Sequence, residues 1–242
     1  MNLRRYAIVL AAVLAPLQSA FAFDHSKLNG LLGKYVSGGK VDYVALKADK
    51  PTLDAYIVSV GTASGNLPMG FYLNAYNALV LGDLLSQPTL PAKVTDLSGF
   101  FDAHKHKVAG HDWTLNELET YVRTTWKDPR VHFALNCGAR SCPPLQAAAF
   151  SEDQAALDGK LASLTSNFLN GNGVKVDATK KEVAVTKLMD WYNGDFVAKA
   201  GSVDAFVKAN VTDAQKLAAV NAALGGGGKI VYQNYDWTPN AK

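Results

Sequence analysis

PMGFYLNAYNALVLGDLL, Pro68 to Leu85, reads as a helix that is apolar nearly all round. Phe71, Ala75, Ala78, Leu79, Gly82 and Leu85 recur at three- and four-residue steps, and Pro68 suits a helix start. The remaining faces are mostly apolar too, so the segment has to be the buried centre of a domain rather than a surface helix. Asn74 and Asn77 lie one turn apart on it, and a buried amide left without partners costs about 1–3 kcal/mol. Two uses fit them: holding loop backbone, or orienting a ligand in a pocket.

Downstream, DPRVHFALNCGARSCPPL, Asp128 to Leu145, carries the only two cysteines, Cys137 and Cys142, together with His132, Asn136, Arg140 and Ser141. An apolar lead-in of Val131, Phe133, Ala134 and Leu135 brings these groups to a glycine-containing turn, and Pro143-Pro144 ends it. The central helix and this turn are expected to form one polar cluster of Asn74, Asn77, His132 and Asn136, with Arg140 at its mouth.

Around them the order of elements is mixed. Helical spacing covers Asp24–Val36, Thr52–Val60 and Ser151–Leu169, with shorter helices at Lys187–Phe196, Val203–Ala209 and Ala214–Leu224. Thr114-x-x-Glu117 is a capping box that opens a helix running through Trp126. Phe100–Val108 and His111–Leu115 form a hairpin about Ala109-Gly110, and Val174–Asp177 with Glu182–Thr186 forms another. Lys40–Leu46 and Lys229–Tyr235 alternate as strands do. With no βαβ rhythm and no internal repeat, the fold class is α+β: a helix-rich single domain with a central buried helix and short antiparallel hairpins.

The first 22 residues have the grammar of a secretory signal peptide. A basic Arg4-Arg5 head precedes an apolar run from Tyr6 to Leu17 and an Ala20-Phe21-Ala22 cleavage site. The expected mature domain, 23–242, is then periplasmic or secreted, with no integral membrane segment after cleavage. It holds 22 basic against 21 acidic residues. That balance argues against nucleic acid as a partner and leaves a small molecule, peptide or protein. Neither a phosphate-cradling glycine loop nor G-x-S-x-G is present.

Val41-Asp42-Tyr43, the run Phe71–Leu79, Leu115–Glu119, Pro129–Cys137 through Ser141-Cys142-Pro143, Trp191-Tyr192 with Asp195-Phe196, and Tyr235-Asp236-Trp237 with Asn240 follow one another in an order that resembles the domain-of-unknown-function 547 family. That family occurs in secreted bacterial proteins and in plant and animal proteins. The resemblance implies a fold and a candidate site at the cysteine motif, and no particular activity.

Several chemistries compete for these residues. Two cysteines alone in an exported chain point to a structural disulfide between Cys137 and Cys142. The alternative is a nucleophilic thiol with His132 as base and Arg140 favouring the thiolate, in a cysteine-dependent hydrolase or acyl transferase acting on amide or thioester bonds. Spacing works against this pair, because residues 132 and 137 point to opposite faces of a strand. Asn74, Asn77, His132, Asn136, Arg140 and Ser141 are therefore read first as a binding surface for a ligand or partner. Asp195 and Asp236, each beside an aromatic residue, are a candidate carboxylate pair for glycoside hydrolysis. His104, His106 and His111 form the only histidine cluster. His104 and His106 share a strand face, but no third carboxylate is evident nearby, so neither metal nor cofactor is expected.

Overall fold

The computed structural model describes residues 22–242. All of the expected signal peptide except Ala22 lies outside the described residues. The chain forms a helix-rich α+β domain in which helices and small sheets share one hydrophobic core.

Helix α1 (Ser26–Tyr35) leads into a hairpin of β1 (Val36–Ser37) and β2 (Lys40–Val41). Next come α2 (Tyr43–Leu46), α3 (Lys50–Thr62) and α4 (Met69–Leu85). Every residue of α4 is buried, as its all-round apolar sequence requires. Helix α3 packs on one side of it and α5 (Leu115–Trp126) on another. Gly82 admits this approach, since a Cβ there would stand 2.7 Å from Ile57 Cδ1.

Strands β3 (His106–Val108) and β4 (His111–Trp113) pair across Ala109-Gly110, both with positive φ, as a tight hairpin turn demands. Thr114 accepts from the Glu117 amide while the Glu117 carboxylate accepts from the Thr114 amide, closing the capping box of α5. A 3-10 turn, Pro129–Phe133, capped by the Asp128 carboxylate, carries the chain into the cysteine turn. Beyond α6 (Gln154–Phe168), β5 (Val174–Asp177) and β6 (Glu182–Val185) form the second hairpin. Helices α7 (Leu188–Trp191), α8 (Asn193–Ala200), α9 (Val203–Asn210) and α10 (Ala214–Gly225) then precede β7 (Lys229–Tyr232).

Three expectations change. Of Phe100–Val108 only His106–Val108 is strand, because the Ala103 and His104 amides donate back to Gly99 O and hold the preceding residues in a turn. Lys40–Leu46 is a strand only over Lys40–Val41, because the Asp42 carboxylate accepts from the Ala45 amide and starts α2 instead. The sheets are not all antiparallel hairpins: β7 joins β6 in parallel, with Val183 beside Ile230, after the α7–α10 crossover has returned the chain to the same end of the sheet. No helix among the described residues is long and apolar enough to cross a membrane.

Candidate functional site

The two amides of α4 are fully engaged with backbone. Asn74 Nδ2 donates to the Phe150 carbonyl at 2.9 Å, and its Oδ1 accepts from the Phe150 amide at 2.8 Å. Asn77 does the same for the lead-in to the cysteines, donating to Ala134 O at 3.0 Å and accepting from the Asn136 amide at 2.8 Å. Asn136 donates to Pro143 O, and its Oδ1 accepts from the Gly138 amide. Gly138 sits at φ +81°, where a Cβ would press to 2.7 Å from Leu84 Cδ1. These bonds fix the cysteine turn against α4 from inside. From outside, the C-terminal segment covers it: Arg140 N donates to Thr238 O, Ser141 N to Asp236 O, and Asp236 N to Ser141 Oγ. Asn240 completes the seam, accepting from the Tyr43 hydroxyl and donating to Asn136 Oδ1.

Within this frame the two cysteines are free thiols, with Sγ atoms 3.0 Å apart. The expected disulfide is not formed: a bonded pair would stand at about 2.05 Å. Instead the Cys137 amide donates to Cys142 Sγ at 2.9 Å, and the Tyr235 hydroxyl lies 3.1 Å from Cys137 Sγ. Burial pushes the Cys137 thiol up, but hydrogen bonds from the Cys142 thiol, the Tyr235 hydroxyl and the Ala139 amide outweigh it and hold the thiol below its ordinary value. Burial and the neighbouring Cys137 push Cys142 well above its own. Hydrogen bonding thus does here what sequence reading assigned to Arg140. The Arg140 side chain is exposed and borders a second hollow, of about 890 Å³, on the other side of the turn with Ser141.

His132 belongs to a different set of partners. Its Nε2 meets Asp195 Oδ2 at 2.8 Å, and Arg123 binds the same carboxylate through Nε at 2.7 Å and Nη2 at 3.1 Å. Tyr192 lies between these two side chains, stacked on the imidazole at 4.0 Å with the Arg123 guanidinium 4.4 Å above its ring. The His132 hydrogen bond, opposed by burial and reinforced by Arg123, holds the Asp195 carboxyl far below the usual range. His132 Nδ1 is buried with no hydrogen-bond partner, and Glu119 Oε1 stands 3.7 Å away. Of this set, Arg123, Glu119 and the role of Tyr192 were missed by sequence reasoning. Glu119 was within reach as a lone acid on the buried face of α5.

Asp195 and Asp236 do not make a glycosidase pair. Neither lines the cavity beside the cysteines: Asp195 is held by His132 and Arg123, while Asp236 accepts from the Thr238 amide, and these hydrogen bonds lower both carboxyls.

His132, Glu119, Cys137 and Cys142 border one cavity of about 470 Å³. Leu97–Asp102 lines one side. The rim is aromatic: Trp191 stacks on Trp237 at 5.6 Å and 27°, and Tyr235 lies 4.8 Å from Trp191 and 4.6 Å from Trp237. Trp191 remains 43% exposed. Asn74, Asn77 and Asn136 do not line this cavity.

A family model described as "Protein of unknown function, DUF547" matches residues 62–169. The match runs from the last residue of α3 through α4 and the cysteine turn to the end of α6, and over these residues the chain is similar to that family. Trp191, Tyr192, Tyr235 and Trp237, which line the cavity, follow the matched residues. No curated protein and no solved structure matches the chain.

Proposed function

We propose that this is an exported ligand-binding domain that takes a small, flat-faced molecule into the aromatic cavity above Cys137. One observation carries the reading. A tryptophan that is 43% exposed stands in a stacked wall of three aromatic residues, over a cavity of about 470 Å³ with buried polar groups on its sides. Such a wall suits the face of an aromatic ring or a sugar, and a few polar groups in a mostly apolar hollow are what fix a ligand's orientation. His132 and Glu119, both buried, border the same cavity and are among its polar side chains. Export rests on the Arg4-Arg5 head, the apolar run and the Ala20-Phe21-Ala22 site.

A cysteine-dependent hydrolase or acyl transferase is the second reading, favoured by the lowered Cys137 thiol. It lacks two parts. No base meets the sulfur, whose side-chain partners are Cys142 Sγ and the Tyr235 hydroxyl. Nor does the turn offer a pair of free amides to hold an oxyanion. The amides of Cys137, Gly138, Arg140, Ser141 and Cys142 go, in order, to Cys142 Sγ, Asn136 Oδ1, Thr238 O, Asp236 O and Ala139 O.

Saturation-transfer NMR with indole-3-carboxamide, benzamide and methyl glucoside tests the binding reading. At least one probe should bind the wild type, and Trp191→Ala should abolish the signal while leaving the melting temperature nearly unchanged. Equal binding to wild type and Trp191→Ala, or none to either, would overturn it.

A further inference from the structure

We propose that Asp83, His104 and His106 form a divalent-cation site, of the kind zinc occupies, which clamps the β3–β4 hairpin to the end of α4. Asp83 supplies the carboxylate that the histidine pair lacks in the sequence. It sits in the last turn of α4, its side chain only 11% exposed, and its Oδ2 lies 3.2 Å from His104 Nδ1 and 3.1 Å from His106 Nε2. One ligand atom from each residue falls within 4.8 Å of the others. In a tetrahedral site with metal–ligand bonds of about 2.0–2.1 Å, donor atoms stand about 3.3 Å apart. The carboxylate oxygen already stands at nearly that spacing from both imidazole nitrogens.

The second observation is the state of His106. Its side chain is 9% exposed, and Nε2 is buried with no hydrogen-bond partner, although a carboxylate oxygen lies 3.1 Å away. A buried nitrogen left unpaired beside an acid is costly as a hydrogen-bonding group. As a metal ligand it needs only its lone pair directed at the ion. His104, 61% exposed, leaves the outer side open, so water supplies the fourth position. Two imidazoles and one carboxylate select zinc and its neighbours over calcium or magnesium, which take oxygen donors. The nearby cations are paired elsewhere, Lys105 with Glu117 and Lys107 with Asp112, and do not oppose the ion.

None of the three ligands lines the aromatic cavity, so the clamp is separate from the proposed ligand site. Its reach is nevertheless direct. His104 follows the segment Leu97–Asp102 that lines the cavity, and its amide donates to Gly99 O. Holding His104 and His106 to α4 therefore fixes one side of the cavity.

Zinc chloride titrated into the metal-free protein, in competition with a chromophoric chelator, gives the test. One equivalent should bind and raise the melting temperature, by the linkage of binding to folding. His104→Gln and His106→Gln should each weaken binding about tenfold or more, while His111→Ala, on the same hairpin, should leave it unchanged. Cobalt(II) should give a tetrahedral absorption spectrum that His104→Gln abolishes, and calcium should not bind. If His106→Gln fails to fold by circular dichroism, the exposed His104 variant decides alone. No zinc binding by the wild type, binding indifferent to His104→Gln, or binding lost in His111→Ala would overturn the proposal.

Discussion

Cys137 and Cys142 face each other across 3.0 Å as thiols, and the Tyr235 hydroxyl meets the first of them at 3.1 Å. The asymmetry decides which sulfur reacts. Cys137 receives donors from Cys142, Tyr235 and the Ala139 amide, whereas burial and Cys137 itself keep Cys142 protonated. Iodoacetamide under reducing conditions, followed by peptide mass spectrometry, should label Cys137 at a pH below the ordinary thiol range of about 8.5. Cys142 should stay unlabelled in the folded protein. Equal labelling of the two would refute the assigned order.

Asn77 ties the cysteine lead-in to α4 through two buried hydrogen bonds. Asn77→Ala leaves the Ala134 carbonyl and the Asn136 amide unpaired and should destabilise by about 1–3 kcal/mol in urea denaturation. Asn167→Ala, on the exposed face of α6, should stay within about 0.5 kcal/mol. Similar midpoints for the two variants would contradict the structural role.

Gly138→Ala tests the turn itself. The substitution forces a side chain into left-handed backbone and against Leu84, and should cost about 1–3 kcal/mol. Wild-type stability would mean that the turn is not held so tightly to α4.

Asp195 links His132 and Arg123, so it also sets a dependence on acidity. Its folded pKa lies below the unfolded value of about 3.9. Its contribution is therefore fully present above about pH 4 and is lost as pH falls towards the folded value. Asp195→Asn should cost about 1–2 kcal/mol at pH 7, an amount reduced by solvent screening of a side chain that is 27% exposed. The gap between variant and wild type should narrow on acidification. A gap that is constant from pH 7 to pH 3 would show that the ion pair is not its source.

The parts legible in the sequence are those whose partners are near in the chain or whose burial is forced. Ala109-Gly110, the Thr114–Glu117 capping box and the all-round apolar α4 are of this kind. Asn74 and Asn77 announced a need for partners because no polar group fits free in such a helix, yet nothing local identified Phe150 as the partner of Asn74. Asp83 was equally conspicuous in α4, but its histidines lie beyond a loop without regular pattern. The Arg123–Tyr192–His132 stack joins α5, the α7–α8 junction and the 3-10 turn, and only the assembled core brings those three together. The parallel pairing of β7 depends on where four helices return the chain, which strand alternation does not encode.

The proposed binding cavity holds a thiol that no histidine activates. Labelling of Cys137 by an electrophilic probe, compared between wild type and His132→Gln with folding checked by circular dichroism, tests it most directly. Labelling rates should agree within about twofold, because the sulfur's hydrogen bonds go to Cys142 and Tyr235 and none joins it to His132. Loss of Cys137 labelling in His132→Gln, with the fold intact, would contradict it and establish a cysteine–histidine pair.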